Sequence, residues 1–169
     1  AHNQSPHHQE EWDQTNQTLT LLNQAPFSLK LPVAWSERPS ADPLWAYHLH
    51  VWEWAWPALV AATPQVAGPS GLLALMTDWI DTHPIGKGIA WEPYPTSRRL
   101  IVWSAAWVRL DQPIALAESI LQQARFLSDH LEWDLGNNHL IANAKALAWV
   151  GILLNGLPDA EKWRRLGLD

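Results

Sequence analysis

From residue 111 to residue 131 the sequence reads DQPIALAESILQQARFLSDHL. Its apolar side chains recur three and four residues apart, at Ala117, Ile120, Leu121, Ala124, Leu127 and Leu131. This spacing places them on one face of an α-helix, and Pro113 is a residue that commonly stands at a helix start. The stretch therefore predicts an amphipathic helix that buries one face against other helices.

Helical spacing continues on both sides of this stretch. Upstream, it predicts a helix from about Pro43 to Trp56 with Pro57 as an early stop or kink, a second between Ser70 and His83, and a third from Thr96–Ser97 to Leu110. Downstream, a fifth helix is capped by Asn137 or Asn138 and closes at Asn155–Gly156, and a short one covers Asp159–Leu166. Short connections between such helices are typical of antiparallel αα-hairpins, so we predict an all-α fold.

The N-terminal part of the chain has a different pattern. Residues 1–16 are polar and predict a tail that is loose or forms a short helix, whereas residues 17–169 predict one helical domain. Thr18–Leu22 alternates as a strand does, and Phe27–Leu31 supplies a second short strand, so a small β-hairpin is expected there. Glycine and proline residues in Ile85–Pro95 predict a long loop whose conformation is set by backbone constraints rather than by packing.

Composition excludes several classes of function. The 169 residues carry a net charge of −6, which does not fit a nucleic-acid partner, and the absence of cysteine excludes disulfides and thiol catalysis. The apolar runs, such as Ala146–Leu154, are far shorter than the ~20 residues that span a bilayer, so no membrane insertion is expected. The 13 tryptophans suggest a wide groove with stacking surfaces. No cofactor or metal is predicted.

The most distinctive stretch is Leu131–Leu147, LEWDLGNNHLIANAKAL. One helix ends at Gly136 and the next opens with Asn138 and His139, so an amide and an imidazole lie beside unpaired backbone N–H groups at the positive end of a helix. That arrangement suits a carboxylate ligand. The alternative is that Asn137 or Asn138 only caps the helix and that His139 lies on its surface.

Two further stretches carry candidate residues. In Trp91–Trp103, Tyr94 precedes a helix, and Arg98 and Arg99 lie in its first turn, where they oppose the helix dipole; a buried acid or a substrate anion is expected to hold at least one of them. In Leu44–Trp54, His48 and His50 are two residues apart and point to opposite sides of a helix, so packing or hydrogen bonding is favoured over a shared metal.

Taken together, residues 45–52, 91–103 and 131–147 resemble, in order and approximate spacing, the N-terminal helical domain of heparinase II/III-like polysaccharide lyases. The resemblance covers roughly residues 18–165. It implies part of an incomplete (α/α) toroid, followed in the family by antiparallel β-sheets, and a reaction in which an acidic polysaccharide is cleaved by β-elimination. It also implies a periplasmic or secreted location.

The resemblance assigns roles to individual residues. Asn138 matches the residue that helps to neutralise the uronate carboxylate, with His139 beside it. Arg99 and Tyr94 match a segment on or under the substrate groove. Tyr47, His48 and His50 match a segment of groove-lining or scaffold residues. This chain has Gly136-Asn137-Asn138-His139 where the family has Leu-Gly-Asn-His, so the turn before Asn138 is expected to differ.

The tyrosine and histidine that act as general base and acid in the family lie further along than residue 169. The last helix also lacks a helical partner, so we expect the chain to be the front portion of a longer lyase that carries the β-sheet domain. By itself it is expected to bind substrate without completing the reaction.

Two alternatives stay open, a non-catalytic carbohydrate-binding or scaffold module and a purely structural helical domain. Trp45, Trp52, Trp103 and Trp107 are expected in the core, whereas Trp91 and Trp133 are the candidates for stacking on sugars. The 11 basic residues against 17 acidic ones favour a carboxylate-bearing, glycosaminoglycan-like or alginate-like polymer that is less charged than heparin.

Overall fold

The computed structural model describes residues 10–37, 41–61, 71–133 and 138–168. Three short strands, β1 (Glu11–Asp13), β2 (Thr18–Thr20) and β3 (Phe27–Ser28), precede the helices. The helices are α1 (Pro43–Val51), α2 (Trp56–Ala61), α3 (Leu72–Thr82), α4 (Pro93–Arg109), α5 (Ile114–Asp129), α6 (Asn138–Leu153) and α7 (Ala160–Leu168). Two 3-10 turns, Glu53–Ala55 and Ile89–Trp91, join them. The predicted, mainly helical fold is confirmed.

The strands form one antiparallel sheet in the order β1-β2-β3. Leu19 lies opposite Trp12 on one side and Phe27 on the other, and it is fully buried. The hairpin of β2 and β3 was predicted, but β1 falls in the segment expected to be a loose tail or a short helix. Its polar neighbours carry no alternating pattern; Trp12 holds it in place through an edge contact with Trp54, 5.5 Å between ring centroids.

The predicted helix from Pro43 to Trp56 is wrong as one continuous element. Asp42 accepts a hydrogen bond from the Leu44 backbone N–H, 2.9 Å, and starts α1, which ends at Val51 because Trp52 adopts a left-handed conformation with φ 64°. Pro57 does not stop a helix but lies in the first turn of α2, where its missing N–H costs no hydrogen bond.

The start of α4 also differs from the prediction. The helix begins at Pro93, again a proline in the first turn, so Tyr94 belongs to the helix and does not precede it. The end of the predicted Gly- and Pro-rich loop is therefore helical. Asn138 is the first residue of α6, while the alternative cap Asn137 lies outside the described residues.

Helix α4 is central to the packing. It packs against α1, α5 and α6. Helix α7 packs closely against α6, so the expectation that the last helix lacks a helical partner is wrong. The core between them is rich in indole rings, and Trp45, Trp52, Trp79 and Trp103 are all fully buried. Within the described ranges, no helix combines the length and the apolar character needed to cross a membrane.

Candidate functional site

A pocket of about 320 Å³ opens between α1, the first turns of α4 and the start of α6. Its walls are Leu44, Tyr47, His48, Val51, Glu53, Tyr94, Arg98 and His139. Four of the predicted site residues, Tyr47, His48, Tyr94 and His139, therefore meet in one cavity although they come from three separate stretches of sequence. We refer to it as the first pocket.

Helical periodicity explains why these side chains share the cavity. Leu44, Tyr47, His48 and Val51 are spaced at three- and four-residue intervals and form one face of α1. His50 lies on the other side, buried, where its Nδ1 accepts a hydrogen bond from Trp79 Nε1 at 3.2 Å. His50 thus supports the core and does not line the first pocket. The described residues contain no cluster of three potential metal ligands.

His139 is held on two sides. Its ring stacks on Tyr94, with 4.3 Å between centroids and 22° between planes, and its Nδ1 lies 3.1 Å from Glu132 Oε1. Glu132 is fixed in turn by Asn143, a buried residue on α6 whose Oδ1 accepts from the Glu132 backbone N–H at 3.2 Å. Asn143 was not singled out from the sequence, because a single polar residue within an apolar helical pattern carries no sign of its role.

Asn138 lies beside this arrangement. It is exposed and begins α6, next to His139, but it is not among the residues that line the first pocket. Asn138 therefore lies at the N-terminal end of a helix, where unpaired N–H groups favour an anion, and is the neighbour of a pocket-lining residue.

Four polar side chains of the pocket wall are paired with a carboxylate. Tyr47 donates to Glu92, His48 pairs with Glu10, Arg98 with Glu53 and His139 with Glu132. Burial and the neighbouring Glu92 raise the pKa of Tyr47 to about 12, so its hydroxyl stays protonated and acts as a donor. The charge of Arg98 is therefore balanced by Glu53 before any ligand arrives.

Arg99 is fully buried in the core and does not line the first pocket. The expected acidic partner is absent among the described contacts: its guanidinium donates to the backbone oxygens of His50 (3.0 Å) and Ala90 (2.7 Å) and to Gln123 Oε1 (2.8 Å). It also lies 4.2 Å from the Trp79 ring centroid. Burial lowers the pKa of Arg99. It cannot meet a substrate directly, and the wall residue is its neighbour Arg98.

The two tryptophans expected to stack on sugars are placed differently. Trp91 is only 3% exposed and packs edge-on against Phe126 at 5.2 Å, so the prediction that it is a surface platform is wrong. Its position in a Gly- and Pro-rich stretch resembled a loop, but the 3-10 turn there points the ring inward. Trp133 is 65% exposed and remains a stacking candidate near the site.

Comparison with known proteins gives a consistent result. The crystal structure of heparinase III is 24% identical, with a TM-score of 0.69, over 84% of this chain and 24% of that chain. The heparan sulfate lyase HepC from Pedobacter heparinus is 19% identical, with a TM-score of 0.70, over 90% of this chain and 26% of that chain. The chain thus spans about a quarter of each of these structures. No curated protein sequence matches it.

At this level of identity the two structures establish the fold alone. The family assignment rests on sequence: the family model described as heparinase II/III N-terminus matches residues 14–169. That match covers strands β2 and β3, every described helix and all the residues of the first pocket. The chain therefore belongs to the heparinase II/III N-terminus family.

Proposed function

We propose that this chain is the N-terminal, substrate-binding part of a polysaccharide lyase that cleaves uronate-containing acidic polysaccharides by β-elimination. One observation carries the proposal: Tyr47, His48, Tyr94 and His139, which come from three separate motifs, line a single pocket, and Asn138 precedes His139 at the start of α6. The pocket volume is at the lower end of the range for small-molecule sites, which suits a sugar ring.

The reaction explains why an amide side chain at the start of α6 would be useful. In β-elimination the C5–H bond of the uronate breaks, its electron pair forms the C4–C5 double bond, and the C4–O bond breaks as the leaving oxygen takes up a proton. Negative charge develops on the uronate carboxylate as the C5 proton leaves. Donors aimed at that carboxylate stabilise the charge, and the Asn138 amide with the N–H groups at the start of α6 would supply them.

His139 is proposed to act beside Asn138. Because its Nδ1 is engaged by Glu132, its Nε2 is the nitrogen available to a ligand, and stacking on Tyr94 restricts the rotation of the ring. The proton acceptor at C5 and the donor to the leaving oxygen are proposed to come from the remaining part of a longer parent protein, which would also carry the β-sheet domain.

The charge balance of the first pocket supports a carboxylate-bearing polymer with few sulfates. A heavily sulfated chain such as heparin needs several unpaired cations, whereas Arg98 already faces Glu53, and Glu10 and Glu132 add negative charge beside His48 and His139. A single carboxylate can be held by neutral donors at a helix start without such cations.

Binding of uronate oligosaccharides tests the proposal. Isothermal titration of the 169-residue chain is expected to detect binding, and Asn138→Ala is expected to weaken it about tenfold, because a hydrogen bond to a charged group contributes ~1.5–3 kcal/mol. Asn155→Ala is the matched control, since Asn155 is an exposed asparagine just beyond the other end of α6. Equal affinities for both variants and the wild type would overturn the role of Asn138.

Two further measurements separate the alternatives. Equal binding of neutral and uronate oligosaccharides would identify a general carbohydrate-binding module. Incubation with uronate polymers, followed by the ultraviolet absorbance of the unsaturated product, is expected to show no turnover by this chain; robust turnover would contradict the proposal that the base and the acid lie elsewhere.

A further inference from the structure

A second pocket of about 240 Å³ adjoins the first one. The two cavities share Glu53 and Arg98, so the ion pair between these residues forms the wall that separates them. The other residues that line the second pocket are Trp56, Ser97, Ile101, Ala142 and Lys145. None of these five was a predicted site residue.

Helical spacing indicates that the two pockets lie side by side along one groove, divided by this ion pair. On α4 the lining passes from Tyr94 and Arg98 to Ile101, and on α6 it passes from His139 to Ala142 and Lys145. On both helices the second pocket is lined by residues about one turn further along, ~5 Å per turn. The first turns of the two helices border one pocket and the next turns border the other, so the groove follows the seam between α4 and α6.

The electrostatics of the two pockets differ. In the first, Arg98, His48 and His139 each face a carboxylate. In the second, the exposed Lys145 makes no ion pair or hydrogen bond to any residue in the described part of the chain. Trp56 adds a partly exposed ring to the same cavity. A cation without a carboxylate partner and an aromatic surface are the groups that recognise an anionic sugar.

We propose that the second pocket is a subsite for the neighbouring sugar of the bound chain, and that Lys145 binds an anionic substituent of that sugar, a carboxylate or a sulfate. The inference rests on the proposed function, because it extends the same groove by one sugar. The first pocket then selects a uronate through neutral donors, and the second discriminates by the charge of the adjacent residue.

The test compares a uronate monosaccharide with three disaccharides by NMR titration of the 169-residue chain. An alginate-derived disaccharide carries a carboxylate on both sugars, a heparan-sulfate-derived one carries sulfate on the neighbour, and a hyaluronan-derived one has an uncharged neighbour. Lys145→Gln is expected to weaken binding of an anionic-neighbour disaccharide about threefold and to leave the monosaccharide and the hyaluronan disaccharide unchanged. Lys30→Gln, an exposed lysine outside both pockets, is the control.

A second variant tests the cavity independently of charge. Ala142→Phe fills the second pocket and is expected to reduce the affinity of all three disaccharides to that of the monosaccharide, with the helical circular dichroism unchanged. A loss restricted to the alginate or to the heparan sulfate disaccharide in Lys145→Gln identifies the anion as carboxylate or sulfate.

The two proposals fail in different ways. Disaccharide binding that neither Lys145→Gln nor Ala142→Phe alters, or an equal loss with the hyaluronan disaccharide in Lys145→Gln, overturns the second subsite while leaving the first pocket intact. Absence of any uronate binding, or binding that Asn138→Ala does not change, overturns the proposed function itself.

Discussion

Arg99 is a buried cation that connects α4 with three neighbouring elements. Its guanidinium connects the last turn of α1, the Ile89–Trp91 turn and α5 through neutral oxygens, and three indole rings lie within 6 Å of it. Neutral acceptors and aromatic faces thus replace a carboxylate as the means of keeping a charge inside the core.

Arg99→Met is expected to lower the free energy of unfolding by about 3 kcal/mol, because it leaves buried oxygens without a donor. Urea unfolding measures the change. Arg98→Met is the matched control: Arg98 is the adjacent residue, partly exposed and paired with Glu53, so its loss is expected to cost less than about 1 kcal/mol. Similar stabilities for the two variants would refute the role of Arg99.

His83 gives the fold a pH dependence. Burial lowers its pKa below the ordinary value of 6.5, the charge of Arg99 adds to the effect, and its ring stacks on Trp79 at 4.4 Å. Because the folded state binds the proton less readily than the unfolded state, stability is fully present above pH 6.5 and is lost as the pH falls through the lowered pKa.

The melting temperature is therefore expected to fall more steeply below pH 6.5 in the wild type than in His83→Gln, with His130→Gln, an exposed histidine, resembling the wild type. A wild-type slope in His83→Gln would show that other groups cause the acid sensitivity.

At the scale of elements, the close packing of α6 against α7 requires a residue without a side chain at Gly151. A Cβ at Gly151 would lie 2.7 Å from the Ala160 carbonyl oxygen and 2.8 Å from the Arg164 backbone nitrogen, closer than real Cβ atoms approach. In an open helix Gly→Ala stabilises by about 1 kcal/mol, whereas overpacking costs about 1–3 kcal/mol.

Gly151→Ala is accordingly expected to destabilise the chain by about 1–3 kcal/mol in thermal or urea unfolding. Lys145→Ala, on the exposed face of the same helix, is expected to change stability by less than about 0.5 kcal/mol. A stabilised Gly151→Ala variant would mean that α7 does not pack as closely as described.

Elements were predictable where a helix has a long apolar face, as α5 has. The breaks were not, because they depend on single residues: nothing in a tryptophan-rich stretch shows that Trp52 takes a left-handed conformation, and β1 has only Trp12 to anchor it. Periodicity indicates which face of a helix or strand is buried, whereas the position of a break depends on the tertiary contacts that form around it.

At the scale of the whole molecule, the tryptophans are distributed unevenly. Most described indoles are buried, whereas Trp133 and Trp149 are 65% and 47% exposed. Acrylamide is therefore expected to quench a minor fraction of the intrinsic fluorescence readily. The double variant Trp133→Phe, Trp149→Phe should lose most of that fraction, while Trp45→Phe should keep it. Uniform quenching would contradict the indole-rich core.

The site could be predicted in part. Tyr47, His48, Tyr94 and His139 belong to recognisable motifs, and they do line one cavity. The sequence could not distinguish Arg98 from Arg99, because adjacent residues differ only in which side of α4 they occupy, and that depends on where the helix is placed. Glu53 and Lys145 lie within two of the quoted stretches, but nothing in the sequence singled them out. Their positions follow from the packing of α4 against α6 and against the Glu53–Ala55 turn.

Arg98 lines the first pocket, whereas the adjacent Arg99 is buried in the core, and this difference has an evolutionary consequence. Positions such as Leu44, Val51 and Arg98 contact the cavity, while the geometry of the walls is maintained by a neighbouring residue that no ligand reaches. Substitutions at the wall can therefore accumulate and change ligand preference without unfolding the domain. Related chains are expected to diversify at Leu44, Val51 and Arg98 while they retain the buried arginine and its indole neighbours.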